Sequence, residues 1–218
     1  MSAPVMDVAA GPPTVEFGWS DAGEGCAHGY LLPAVLDELE RATGGQPRTI
    51  VDVGCGNGFV TERIARLGHD VIGIDASRDG IAIARAAHPG MRFEAVSVYE
   101  ERFREVVGTV DCVLALEVVE HLFLPSKLFE SSYRVLRTGG TMIVSTPYHG
   151  YLKNLGISLT GGWDRHWDVS HDGGHIKFFS PATLARMALA AGFGNVRWRG
   201  TGRARWLWKS LVMTMERL

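Results

Sequence analysis

The chain has 218 residues, 46% hydrophobic and 21% charged, enough for one domain with a substantial core and ordinary for a globular protein. Its formal net charge of −2 argues against general nucleic-acid binding, and no apolar run approaches the roughly 18–20 residues of a membrane span. Three scattered cysteines, Cys26, Cys55 and Cys112, make neither a disulfide framework nor a CxxC zinc pair, so a reducing, cytoplasmic compartment is expected.

The first fifteen residues lack the basic and apolar regions of a signal peptide. This Gly/Pro-bearing start reads as a poorly ordered leader. "YLLPAVLDELERA" follows as a helix, with Leu32, Val35, Leu36 and Leu39 at helical spacing and "GGQP" as its stop. Residues 1–46 are thus expected to form a leader and cap helix ahead of a domain over 47–218. In that domain, strand-length apolar runs at 49–54, 71–75, 91–96, 112–117 and 141–146 alternate with the amphipathic stretches "FVTERIARLG", "GIAIARAA" and "SKLFESSYRVLRTGG". The alternation predicts βαβ units, hence an α/β, Rossmann-like, mostly parallel sheet with helices on both faces. Residues 148–177, rich in Gly, His, Trp and Asp, break the rhythm as an irregular loop insertion of the kind that forms lids. "SPATLARMALAAGF" restores a helix, with Ser180 as N-cap, Pro181 at its first position and Gly192 past its end. "NVRWRGTG" and "LVMTMERL" close the sheet as two strands joined by a short helical turn around "RWLWK".

From Lys177 onward, Arg186, Arg197, Arg199, Arg203, Arg205, Lys209 and Arg217 face a single acid, Glu216. Two readings stand: a solvated edge, or a patch for anionic substrates or lipid headgroups that uses Trp198, Trp206 and Trp208 in a peripheral membrane contact.

The chemistry starts at "TIVDVGCGNG". Gly54, Gly56 and Gly58 follow the first strand, at the end of an open sheet where ligands bind, and they remove side chains where backbone must turn and approach a ligand. Their spacing, followed by Phe59, departs from G-x-G-x-x-G, and no Gly-Lys-Ser/Thr follows, so dinucleotide and triphosphate readings both weaken. Asp75 ends the second strand about twenty residues on, where a carboxylate accepts hydrogen bonds from ribose hydroxyls. A nucleoside without a pyrophosphate fits best. Asp52, inside a strand buried on both faces, requires a partner: an ammonium or backbone N–H groups.

Together, "VDVGCGNGF", "VIGIDAS", "LALEVVEHL", "LRTGGTMIVSTP" and "AGFGNV" resemble, in order and distance, the motifs of class I S-adenosylmethionine-dependent methyltransferases. The resemblance runs from about residue 47 to the C-terminus. It implies a seven-stranded sheet with an antiparallel last strand, and S-adenosylmethionine with its methionine part over Gly54, Gly56 and Gly58. Asp52, Cys55 and Asn57 would join that loop, Asp75 and Ala76 would hold the ribose, Ser97 and Val98 would flank the adenine, and Leu116 would complete the wall.

"EVVEHL" is similar to the O-methyltransferases of ubiquinone biosynthesis, whose matching acid, acid and histidine bind a divalent metal or sit at the acceptor. The resemblance implies Glu117, Glu120 and His121 as an Mg²⁺ set that lowers the pKa of a phenol; the plainer reading is a helix start with capping or solvated side chains. "RHWDVSHDGGHIKFFS" gathers His166, His171 and His175 among Asp164, Asp168 and Asp172, at a spacing that matches no metal motif and in a loop too Gly-rich to preorganise ligands. "GGHIKFFSPATL" resembles the family's His ahead of the last long helix. That implies His175 as base or acceptor-positioning group, beside Glu117 and His121, with His149 and His166 as further candidates. Phe17, Trp19 and Tyr30 of the leader, and Tyr148, Tyr151, Trp163 and Trp167 of the insertion, favour an apolar or aromatic small-molecule acceptor.

The expected activity is O-methylation of a phenolic or related metabolite, with N- or C-methylation as the alternative. A nicotinamide-dependent oxidoreductase would need glycine where Phe59 stands. A non-catalytic module could keep the fold without turnover. Nucleic acid is not an expected partner, for want of an "NPPY"-like sequence after the fourth strand, and the oligomeric state stays open.

Overall fold

Strict period-two alternation decides how the sheet is covered. In strand β1 (Thr49–Val53), Val51 and Val53 face one side while Ile50 and Asp52 face the other, and all four are buried. The remaining strands are β2 (Asp70–Asp75), β3 (Arg92–Ala95), β4 (Val110–Leu116), β5 (Leu136–Pro147), β6 (Phe193–Thr201) and β7 (Ser210–Arg217). The computed structural model describes residues 18–25, 27–167, 170 and 174–218. Phe17, Cys26, Asp168, His171 and Asp172 lie outside the described residues.

The strands form one seven-stranded sheet in the order β3-β2-β1-β4-β5-β7-β6. β7 runs antiparallel to both β5 and β6, and the other pairs are parallel. On one face, helices α5 (Pro125–Val135) and α8 (Pro181–Ala190) set Leu128, Phe129, Leu184 and Ala188 against Val113, Val144 and Met213. On the other, α1 (His28–Thr43) and α2 (Phe59–Ala65) set Leu31, Val35, Leu39 and Ile64 against Ile50, Leu114, Ile143 and Val212. Helix α3 (Arg78–Ala87) adds a smaller cluster of Cys55, Ile81, Ala84 and Phe93, and α4 (Phe103–Val107) packs Phe103 into the first face. Ser180 caps α8 reciprocally with Thr183, and Gly192 past its end carries φ of 98°, as the sequence predicts.

Three elements differ from expectation. The helix expected to run to Gly140 stops at Val135, because Leu136 turns extended, buries itself beside Val110 and starts β5, and Gly139 carries φ of 74°. The 148–177 insertion holds two helices, α6 (Tyr151–Leu159) and α7 (Trp163–His166). Leu152, Leu155 and Leu159 recur at helical spacing in α6, yet no residue of α6 is buried. Around "RWLWK" the chain makes a bent hairpin instead of a helix: Trp206 has φ of 72°, and Lys209 N–H closes onto Thr201 O at 2.9 Å.

The basic C-terminal run is partly neutralised by acids distant in sequence. Arg197 pairs with Glu38 (3.5 Å) and Glu216 (3.9 Å), and Arg199 with Asp37 (3.2 Å) and Glu38 (3.6 Å). Arg217 donates to the carbonyls of Tyr133 and Leu136. Among the described residues, no helix is long and apolar enough to cross a membrane.

Candidate active site

The order of strands reverses between β1 and β4, and a cavity of about 580 Å³ opens there at their carboxyl ends. Asp52, Gly54, Cys55, Asn57, Asp75, Ala76, Ser97, Val98 and Leu116 all line it, brought together from the ends of β1, β2, β3 and β4. Trp19, Glu117, His121 and His175 line it too.

The glycine loop is shaped by its neighbours. Gly54, Gly56 and Gly58 carry φ of 75°, 52° and 82°. Gly56 and Gly58, expected beneath a cofactor, are not in the cavity wall: a side chain at Gly56 would collide with the Trp19 indole, and one at Gly58 would meet Ala84 and Phe93 at 2.9 Å. These two glycines set the course of the loop and let the leader lie on it. Asn57 holds the leader down, its Nδ2 donating to Asp21 O (2.8 Å) and Gly23 O (2.9 Å) while its Oδ1 accepts from Phe59 N–H. Its amide is thus engaged within the protein.

Asp75 Oδ2 accepts from Gly56 N–H and Oδ1 from Ser77 N–H, both at 2.8 Å, which fixes the carboxylate at the end of β2. Asp52 is 2% exposed, and its Oδ2 accepts from the Thr61 hydroxyl at 2.6 Å. Burial lifts its carboxyl to about 6, against the Thr61 hydrogen bond, with the Asp75 charge adding to the rise. Burial also pushes the Cys55 thiol well up, which disfavours the reactive thiolate, and Cys55 lines the cavity wall.

The other end of the cavity is built on the turn after β4. Glu117 sits in the left-handed region at φ of 55°, a conformation unusual for a glutamate. Its N–H donates to Ser145 O (3.1 Å), Ser145 Oγ donates to Oε1 (2.8 Å), and Ser210 Oγ donates to Oε2 (3.3 Å). Burial raises this carboxyl to about 7, opposed by the two serines. Glu120, in the 3-10 turn Val119–His121, is 1% exposed, and among the described residues neither carboxylate oxygen has a hydrogen-bond partner. Burial, then the Glu117 charge, holds it well above the usual carboxylate range.

Of the set expected to share a metal, Glu117 goes to the serines. The side chains that converge are Glu120, His121 and His175, one donor atom of each within 4.8 Å of the others. The loop bearing His175 is better organised than its glycines suggest, because Ile176 and Lys177 N–H both donate to Glu120 O at 3.0 Å.

The remaining expected acceptor contacts lie elsewhere. The β5–β7 pairing extends to Tyr148 N–H on Lys209 O, which carries the start of the insertion toward the β6–β7 hairpin, while Gly174, His175 and Ile176 at its end line the cavity. Tyr148 is buried against Trp198 and Trp208, His149 packs edge-on to Phe178 beside His166, and neither histidine lines the cavity. Burial and the Lys153 charge depress His149 to about 4. Tyr151 is 78% exposed, and Trp163 donates to Ser158 Oγ on α6. Tyr30 reaches the site from behind, its hydroxyl 3.1 Å from Ser210 Oγ. Sequence reading missed Thr61, Ser145 and Ser210, which hold the two key carboxyls, and His28, Tyr99, Phe123 and Ile176, which line the cavity. Single hydroxyls on elements far apart in sequence carry no motif.

The methyltransferase domain family matches residues 25–197. The ubiquinone biosynthesis O-methyltransferase of Cupriavidus pinatubonensis is 31% identical over 176 residues, covering 78% of this chain and 70% of that protein. The protein of the same name from Cereibacter sphaeroides is 29% identical over 182 residues, covering 80% and 73%. Magnesium protoporphyrin IX methyltransferase of Synechocystis PCC 6803, solved with bound SAH, superposes with a TM-score of 0.65 at 18% identity, covering 86% of this chain and 82% of that one. A match across most of the chain, on a fold with the ligand cavity at its topological switch point, excludes the nicotinamide reading: the chain belongs to the methyltransferase domain family and is an S-adenosylmethionine-dependent methyltransferase.

Proposed function

We propose that this enzyme methylates a hydroxyl of a small apolar or aromatic acceptor. The observation that carries the reading is one continuous cavity with two chemically different ends. At the first end Asp52 and Asp75, with Ala76, Ser97, Val98 and Leu116, suit the cofactor: Asp52 accepts from one hydroxyl and is a carboxylate that can meet an ammonium, and Asp75 stands at the end of β2, where a carboxylate can accept from ribose hydroxyls. Bound there, S-adenosylmethionine supplies an electrophilic methyl group on a sulfonium.

At the second end, Glu117, His121 and His175 face Tyr99, Leu122, Phe123 and Ile176. The apolar side chains exclude water and hold an aromatic acceptor. Glu117, pinned by Ser145 and Ser210, takes the hydroxyl proton at a carboxylate oxygen as the acceptor oxygen is alkylated. His121 and His175 position the acceptor, and alignment at near-attack distance supplies much of the acceleration. Magnesium on Glu117, Glu120 and His121 does not suit the arrangement: both Glu117 oxygens are committed to serines, and the side chains that converge include two imidazoles, whereas Mg²⁺ selects oxygen. No step is assigned to it.

The test is mass-spectrometric detection of methyl transfer from S-adenosylmethionine to a panel of catechols, phenols and matched amines, for the native enzyme and Glu117→Gln. The reading expects O-methylated products and a loss of about 10²–10⁴-fold in kcat for Glu117→Gln, the usual share of a general base. Turnover of amines alone, or an unimpaired Glu117→Gln enzyme, would overturn it.

A further inference from the structure

We propose that residues 18–25 are a strap that gates the cofactor end of the cavity, with the Trp19 indole as its latch in a notch between Gly56 and Gly80. The inference rests on the placement of S-adenosylmethionine at the Asp52 and Asp75 end. Trp19 and Gly25 line the cavity with Asp52, Gly54 and Asp75, whereas Gly18, Ser20 and Asp21, beside the indole, are exposed. The strap is therefore the part of the wall that stands between the cofactor end and solvent.

The notch is made by two missing side chains. A Cβ at Gly56 would collide with Trp19 Cζ2 and stand 2.7 Å from Cε2, and one at Gly80, in the first turn of α3, would stand 3.0 Å from Cδ1. The six-membered ring thus seats on the glycine loop and the five-membered ring on the helix. Gly80 lies in helical backbone, where glycine costs stability relative to alanine. What excludes a side chain there is the indole, together with Gly56 O at 3.0 Å from the same point.

The strap contains no helix or strand, and its ties are local. Asn57 Nδ2 donates to Asp21 O (2.8 Å) and Gly23 O (2.9 Å), and Gly25 N–H donates to His28 Nδ1 (3.0 Å) where the strap meets α1. An irregular, largely exposed segment tied in this way opens more readily than the sheet beneath it. The notch is also connected to the carboxylate placed at the ribose. Asp75 accepts from Gly56 N–H and Ser77 N–H, and Ser77 Oγ accepts from Gly80 N–H at 3.0 Å, so one residue sets both sides of the notch. A ribose on Asp75 steadies the notch and favours the closed strap; lifting the strap admits the cofactor and lets its demethylated form leave.

The experiment measures association and release rates of S-adenosylhomocysteine by stopped flow, and hydrogen exchange of residues 18–25 by mass spectrometry. It compares the native enzyme with Gly80→Ala, which crowds the latch from outside the cavity wall, and Asn57→Ala, which frees the tether. Neither variant removes Asp52, Asp75 or Trp19, and a cooperative thermal transition certifies the folding of each. Association and release should rise together, about tenfold in each variant, because two hydrogen bonds or one close contact hold the gate shut. In the native enzyme, S-adenosylhomocysteine should slow exchange of the strap at least about fivefold. Faster release with unchanged association would make the segment a plain wall and overturn the proposal. Unchanged rates in both folded variants, or strap exchange indifferent to the ligand, would overturn it too while leaving the cofactor placement standing. Failure of the native enzyme to bind S-adenosylhomocysteine would overturn the cofactor placement and the strap together.

Discussion

Asp52→Asn should make the protein more stable and a poorer binder of its cofactor. The carboxyl is fully buried and titrates at about 6 instead of 3.8, so ionising it in the folded protein costs about 3 kcal/mol more than in the unfolded chain, at about 1.4 kcal/mol per pH unit. Below about pH 4 the group is protonated in both states and the cost is absent; it grows as pH rises toward 6 and is complete above it. Asparagine is neutral at every pH, and its Oδ1 can still accept from the Thr61 hydroxyl that now reaches Oδ2 at 2.6 Å. The variant should therefore match the native protein near pH 4 and exceed it by up to about 3 kcal/mol at pH 7–8, about 6–12 °C in Tm. Denaturant and thermal unfolding across that range, native against variant, isolate the contribution. If Asp52 is kept to meet the cofactor ammonium, calorimetry should show a loss of roughly 10–100-fold in S-adenosylmethionine affinity, the share of one charge-assisted hydrogen bond. A difference in stability that does not change with pH would refute the desolvation argument, and an unchanged cofactor affinity would refute the role.

Asn57→Ala should release the leader, costing about 1–3 kcal/mol for the two lost amide donations and accelerating limited proteolysis near residues 18–25; equal cleavage rates would show that the leader is held by Trp19 alone. Gly58→Ala forces a Cβ to 2.9 Å from Ala84 and Phe93 at φ of 82° and should cost about 2–4 kcal/mol by chemical denaturation, a loss that near-native stability would contradict. Trp19→Phe should lower S-adenosylmethionine affinity about fivefold, equivalent to about 1 kcal/mol of apolar contact, and an unaltered titration would place the indole outside the cofactor's reach.

The fold was legible because its signals are local and repeated. Alternating apolar residues in "TIVDV" and "VIGID", the spacing of Leu32, Val35 and Leu39, and the Ser180-Pro181 cap each act within a few residues, and the glycine spacing with Asp75 marks the strand ends where ligands bind. The errors fall where long-range contacts override local pattern. α5 ends early because Leu136 is claimed by β4, and residues 148–177, expected to be irregular, hold the helices α6 and α7.

The cavity wall at the ends of β1 to β4 could be read from the sequence because a parallel sheet brings strand ends together whatever lies between them. The end of the cavity proposed for the acceptor had no such rule. Which carboxylate the serines hold, which one is left buried with two imidazoles, and that the insertion starts along β7 yet ends in the cavity wall all depend on the placement of segments separated by up to 93 residues. Strand identity and the glycine turn were thus determined by the sequence itself; the pairing of Glu117 with Ser145 and Ser210, and of Glu120 with His121 and His175, was decided only when the sheet closed around them.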